Sequence, residues 1–227
     1  PSTATPTTIG GVYGMACTST ALGNTSIGFG ALQNVNTSGT CNTAIGTLAL
    51  NANTSGCYNI AIGANALVSN TLGSCNIAIG SCALVCNTTG ADNIAIGNQS
   101  LSCLTTGTEN IAIGSGALQS LRVSSYNVAI GFQALVGLGT AGVTGGTCNT
   151  AIGAGASLAA NLGHSFNTAI GANALCNAGN SCYNTALGHN AGCVMSSVSY
   201  NVVIGGNSGS GITSNCNVLI SDGGGNV

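Results

Sequence analysis

The stretch NIAIGANALVSNTLGSC (Asn59 to Cys75) is followed without a break by NIAIGSCALVCNTTGAD (Asn76 to Asp92), and the pair decides the fold. Counting each repeat asparagine as offset zero, alanine stands at offset two, isoleucine at three, glycine at four, alanine at seven and leucine at eight. The same pentad returns at Asn24, Asn42, Asn93, Asn110, Asn127, Asn149, Asn167, Asn184 and Asn201, and decays to NVLIS at Asn217. Most steps are 17 residues. A period that short and that strict is one supersecondary unit stacked on itself. Seventeen residues are too few for a helix-turn-helix repeat, and the recurrent Gly, Asn and Asn-Thr-Ser-Gly turns break helices. The β-branched residues at offsets one and three favour extended backbone. The expected fold is all-β: a parallel β-solenoid, or β-roll, of about 12 coils.

Strand alternation sorts offsets one and three onto one face and zero, two and four onto the other. The isoleucine column (Ile62, Ile79, Ile96, Ile113, Ile130) is expected to fill the coil, backed by the leucine column (Leu67, Leu84, Leu118). The alanine column (Ala61, Ala78, Ala95, Ala112, Ala129) is then expected on the outside, as a close-packing face between subunits. Such an apolar outer face implies an oligomer. The repeat asparagines are read as a stacked amide ladder that satisfies backbone groups at a turn.

Residues 1–22 read as a Thr/Pro linker with a degenerate first coil, and residues 23–227 as the repetitive shaft. The opening PSTATPTT has neither the basic nor the apolar region of a signal peptide. One step lengthens to 22 residues between Asn127 and Asn149, where Gly137 to Gly146 reads as a loop insertion.

The chain has one basic residue, Arg122, and three acidic ones, Asp92, Glu109 and Asp222. So few charges argue against nucleic acid as a partner and against acid–base catalysis. No apolar run approaches the roughly 20 residues of a membrane helix, so no membrane insertion is expected. No nucleophile–base pair or phosphate loop appears, which makes the expectation a non-enzyme without cofactors.

Twelve cysteines include several in columns. Cys86 and Cys103 share one offset, Cys176 and Cys193 another, and Cys41, Cys57 and Cys75 lie just before successive repeat asparagines. Coils about 4.8 Å apart fall within the Cα separation of a disulfide, so bonds Cys86–Cys103 and Cys176–Cys193 are expected, in an oxidising, extracellular setting. The alternative is that these are small buried hydrophobes. Zinc lacks a ligand set at the usual spacing.

The position before each asparagine carries Tyr58, Tyr126, Phe166, Tyr183 and Tyr200, alternating with Cys41, Cys75, Cys148, Cys216, Asp92 and Glu109. Aromatics there serve either as packing against a neighbouring subunit or as a carbohydrate-binding strip. Asn24, Asn36, Asn53, Asn87 and Asn98 open N-glycosylation triplets.

The units NIAIGANAL (Asn59 to Leu67) and NIAIGSGAL (Asn110 to Leu118) resemble the head repeats of trimeric autotransporter adhesins, and resemble still more the NTAIGxxAL repeats of virus tail fibres. The closing NVLISDGGGNV resembles the lead into a fibre tip or chaperone domain, which is absent here. The resemblance implies a homotrimer of β-rolls on a virion or cell surface. It would be a rigid extracellular spacer projecting a distal tip that meets a glycan or receptor. Two other readings remain. An ice-binding solenoid rests on the threonine column Thr54, Thr71, Thr88 and Thr105; a hexapeptide-type acyltransferase would need His164 or His189 in a cleft.

Overall fold

The structure, a computed structural model, describes residues 7–9, 23–34, 38–137, 146–157, 164–177, 179, 181–195, 197–209 and 212–221. The chain divides into two compact units, Pro1–Glu109 and Asn110–Val227. Each is a parallel β-solenoid, and among the described residues there is no helix. The first unit contains β1 (Thr7–Ile9), β2 (Thr25–Ile27), β3 (Thr43–Ile45), β4 (Ile60–Ile62), β5 (Ile77–Ile79) and β6 (Ile94–Ile96). The second contains β7 (Ile111–Ile113), β8 (Val128–Ile130), β9 (Thr150–Ile152), β10 (Thr168–Ile170), β11 (Thr185–Leu187), β12 (Val202–Ile204) and β13 (Val218–Ile220). Within each unit every strand pairs in parallel with the next in sequence, and the register is strict: Ile60 lies opposite Ile77, Ala61 opposite Ala78 and Ile62 opposite Ile79.

β1 falls inside the stretch read as linker and pairs with β2 through Thr7↔Thr25 and Ile9↔Ile27. Its sequence Thr-Thr-Ile-Gly is the repeat with proline in place of the asparagine, a signal masked by that single change. Of the loop insertion, Gly137 to Gly146, residues 138–145 lie outside the described residues.

The asparagine at offset zero ties the coils together. Asn76 receives a hydrogen bond at its oxygen Oδ1 from the backbone N–H of Asn93 (3.1 Å), while its own N–H donates to Asn59 Oδ1 (3.0 Å). Its Nδ2 donates to the Gly90 carbonyl (2.8 Å), fourteen residues later, and so closes its own coil. The pattern repeats at Asn42, Asn59 and Asn93 in the first unit, and at Asn127, Asn149, Asn167 and Asn184 in the second. These amides are buried, where an unmade bond is costly, and together they meet the demands of backbone groups that no sheet ladder reaches. A second, shorter ladder runs Asn53, Asn70, Asn87 at offset eleven. It stops where the column changes to Leu104, which leaves Asn87 Oδ1 buried without a hydrogen-bond partner.

The structure reverses the expected faces. Ala61, Ala78, Ala95, Ala112 and Ala129 are wholly buried inside their own chain, and do not form a face between subunits. Ile62, Ile79, Ile96, Ile113 and Ile130 lie on the outer surface of the sheet, half-buried or exposed, and do not fill the core. The leucine column is inside: Leu67, Leu84 and Leu118 are fully buried.

The physical reason is the width of the coil. At Gly192, which occupies the leucine position of its coil, a methyl group would stand 3.7 Å from the Ala186 Cβ at offset two. The two walls are thus in contact at their first side-chain carbons. Once leucine occupies one wall there is room for a methyl opposite, and isoleucine must turn outward. Where the leucine position holds glycine, the partner can grow: Val203 replaces alanine opposite Gly209, with its Cγ1 3.5 Å from where a Cβ would be. Because side chains alternate strictly, fixing alanine inside fixes both isoleucine-bearing positions outside.

The corners are tight. Offsets minus one, six and eight take left-handed backbone even with bulky residues, as at Tyr58 (φ 59°), Asn65 (58°) and Leu67 (51°). Such conformations cost free energy for residues with a Cβ, and stacking against identical neighbours holds them. Offset four is glycine at Gly28 to Gly205, and gives way to Ser221 only in the last repeat: Gly80 has φ 135°, and a Cβ there would lie 2.5 Å from the Gly97 carbonyl oxygen of the next coil.

Replacing Asn76 by alanine removes the acceptor of the Asn93 N–H and one of the two side-chain donors to the Gly90 carbonyl, which keeps Asn87 Nδ2. The expected loss is about 3 kcal/mol of unfolding free energy, read as a lowered midpoint in chemical denaturation.

Candidate functional site

With the alanines inside, each unit presents an outer ribbon of β-sheet built from offsets one and three. In the first unit it consists of Thr25, Thr43, Ile60, Ile77 and Ile94 beside Ile27, Ile45, Ile62, Ile79 and Ile96. In the second, Ile111, Val128, Thr150, Thr168, Thr185 and Val202 run beside Ile113, Ile130, Ile152, Ile170, Leu187 and Ile204. Ile79, Ile113, Ile152, Ile170 and Leu187 are 36 to 45% exposed. No strand residue is charged: Arg122 sits at offset twelve, and Asp92 and Glu109 occupy the corner before the asparagine. Soluble monomers keep uncharged, largely apolar sheet faces of this kind small or interrupt them with charge.

The corner column carries the aromatic residues. Tyr58, Tyr126, Tyr183 and Tyr200 are all exposed, as is Phe166. Phe166, Tyr183 and Tyr200 occupy consecutive coils of the second unit and stack face to face, with centroids 4.8 Å apart and ring planes 6° and 5° from parallel. Tyr58 stands between cysteines, Cys41 and Cys75, in the same column, so it has no aromatic neighbour in its column.

Of the expected disulfides, Cys176–Cys193 is present, with Cα atoms 4.8 Å apart. Cys86 and Cys103 are not joined: both carry thiols, although they occupy the same offset on neighbouring coils. Cys41, Cys57 and Cys75 are thiols as well. Cys57 has a role that the sequence did not disclose. Its Sγ accepts a hydrogen bond from the Thr40 N–H (3.4 Å), while the Cys57 N–H donates to Ser74 Oγ (3.1 Å). In the second unit Ser165 N–H donates to Cys182 Sγ, and Cys182 N–H to Ser199 Oγ. Cysteine and serine thus alternate as acceptors in one ladder at offset minus two, and these two cysteines stand where serine would serve. The interchange was visible in the column, where Ser74, Ser165 and Ser199 share the position with Cys57 and Cys182.

The residues on which other readings turn are placed as follows. The hydroxyls of Thr54, Thr71 and Thr88 donate to the carbonyls of Thr71, Thr88 and Thr105 at 3.0 to 3.1 Å, so that column is tied to backbone and does not offer a row of open donors. His164 is buried, with its carbonyl accepting from Asn149 Nδ2, while His189 is exposed. Among the described residues no three His, Cys, Asp or Glu side chains converge as a metal site would require, and no helix is long and apolar enough to cross a membrane. Asn24, Asn53 and Asn87 are buried with their amides bonded inside the coil, which closes them to glycosylation in the folded chain. Asn98 is exposed, and Asn36 lies outside the described residues.

Comparison of the chain with known protein families, characterised proteins and solved structures finds no match.

Peptide mapping without reduction should recover Cys176 linked to Cys193, with Cys86 and Cys103 both alkylated. Recovery of a Cys86–Cys103 peptide would contradict the pairing seen here.

Proposed function

We propose that this chain is the shaft of an extracellular adhesive fibre, a structural protein that carries out no reaction and holds a distal binding element away from a virion or cell surface. The observation that carries the reading is the outer ribbon of isoleucine, valine and threonine. Among the described residues it is a continuous, largely apolar surface with no charge on it, and a second copy of the same chain is the partner whose repeat matches it rung for rung. Identical coils spaced about 4.8 Å apart let two such ribbons meet in register along their length. The copy number of three comes from the resemblance to trimeric fibre repeats, with the three ribbons facing inward. The role of subunit contact, assigned from sequence to the alanines, passes to the isoleucines.

Two further features support a passive shaft. Within each unit the coils are held by main-chain bonds and by the amide ladder at offset zero, as a mechanically loaded rod needs. The turns carry Ser, Thr, Asn and Gly with almost no charge, so they offer few groups to steer or grip a partner. A receptor or glycan then belongs to the distal element. The Cys176–Cys193 disulfide is consistent with an oxidising compartment.

Light scattering on the purified chain should give three times the chain mass. Ile79→Glu with Ile96→Glu should release monomers that keep the β-sheet circular dichroism of the parent, since these side chains face outward. Ala95→Glu should instead unfold the first unit, because it places a carboxylate in the closed interior. A wild-type chain that is monomeric at micromolar concentration would remove the reading.

A further inference from the structure

The aromatic column in the second unit has a geometry that selects its own ligands. Phe166, Tyr183 and Tyr200 share one left-handed backbone conformation, φ 60°, 59° and 61°. Their amides are pinned to the preceding coil: Phe166 N–H donates to Thr147 O (3.1 Å), Tyr183 to Ser165 O (3.2 Å) and Tyr200 to Cys182 O (3.1 Å). The rings are therefore set by the backbone and by each other, and little freedom remains to be lost when something binds. They are 47 to 56% exposed, although each is stacked on its neighbour.

Stacking decides which part of each ring a ligand can reach. A sugar binds an aromatic side chain by laying its C–H groups on the ring face. Here both faces of Tyr183 and one face each of Phe166 and Tyr200 are taken up within the stack. The two outer faces look along the column toward Cys148 and Cys216, so what the side of the column presents is a row of three ring edges, about 9.6 Å from the first centroid to the third, with the positive side of the ring quadrupole pointing outward. The complement of such a row is the negative π-face of a flat conjugated molecule lying lengthwise, which makes edge-to-face contacts with all three rings at once. No charged residue lies on this stretch of the column, so neither a cation nor a neutral molecule is repelled.

We propose that the Phe166–Tyr183–Tyr200 ladder is a binding site for elongated, planar, conjugated aromatic molecules aligned with the axis of the coils. The inference is independent of the number of chains in the assembly. It also separates this ladder from Tyr58, which lacks aromatic neighbours in its column and cannot form the row.

Thioflavin T, a flat conjugated dye of suitable length, is the probe, added to the full chain in its native assembly. A saturable rise in fluorescence is expected in the micromolar range. Tyr183→Ala, which breaks the row at its centre, should weaken binding by about tenfold or more, and Tyr200→Ala by less. Tyr183→Phe should bind as the parent does, because ring edges and not the hydroxyl make the contact; it also guards against misreading a folding defect in the alanine variant. Tyr58→Ala should leave binding unchanged. The proposal is overturned by no saturable signal at about 100 µM dye, or by full binding in Tyr183→Ala. It is equally overturned by loss in Ile170→Glu with retention in Tyr183→Ala, which would put the dye on the sheet ribbon. Displacement of the dye by cellohexaose would show that sugars reach the ring faces and would overturn the selectivity argued here.

Discussion

The buried asparagine amide at offset zero is the interaction on which the rest depends. A coil of 17 residues with only three in a strand leaves most of its backbone without a partner inside the sheet. One carboxamide answers two of those needs and links to the next in the ladder: its Nδ2 holds the far end of its own coil, and its Oδ1 accepts both from the backbone and from the side-chain amide of the following asparagine, as Asn59 Oδ1 does from Asn76. Aspartate could not replace it, for it lacks the donor and would carry charge into a closed interior. Glutamine would add a methylene between two walls already in contact. The repeat therefore keeps asparagine at this position through Asn217 even as its neighbours drift to Val-Val-Ile and Val-Leu-Ile.

From that closure follows the thin interior, and from the thin interior the sorting of side chains. Most globular folds place their bulkiest β-branched residues inside. Here the Leu column with its opposing methyls fills the available space, and isoleucine packs along the outer face against the isoleucines of neighbouring strands. Volume exchange between facing positions, Val203 with Gly209, shows the same constraint, and opposite the unchanged Ala186 it is Met195 that is buried beside Gly192.

The period, the parallel register, the amide ladder and the buried leucines were legible in the sequence because each rests on recurrence at fixed spacing. The direction of the faces was not. Alternation is symmetric: Thr-Ala-Ile says that alanine opposes isoleucine across the strand, but which of them is inside depends on the distance to the opposite wall, a quantity that no single strand contains. β1 escaped because proline stands in place of its asparagine, and the shared offset of Cys86 and Cys103 was not enough to bond them. Equal offsets bring two Cα atoms to one rung spacing, yet the bond also needs both Cβ vectors to lean toward each other, and in-register side chains stand parallel. Cys176 and Cys193 are bonded and the other pair is not. The aromatic column was visible as a column, while its consequence, that stacking closes ring faces and opens ring edges, required the ring planes.

A fold that must place isoleucine outward cannot finish its own hydrophobic burial. The interior is saturated by leucine and methyl groups, so further apolar residues add nothing to the single chain's core. They add to its surface, where water penalises them until another surface covers them. Ordinary sheet proteins interrupt such a face with lysine or glutamate to prevent edge and face association, and none of the strand triplets in this chain does so. The few charges of the chain lie elsewhere: Asp92 and Glu109 at the corner, Arg122 at offset twelve and Asp222 beyond the last strand. The same narrowness that excludes isoleucine from the coil thus leaves on its outer face the apolar surface on which the proposed association rests. A change that widened the interior would weaken that proposed assembly by drawing the isoleucines in.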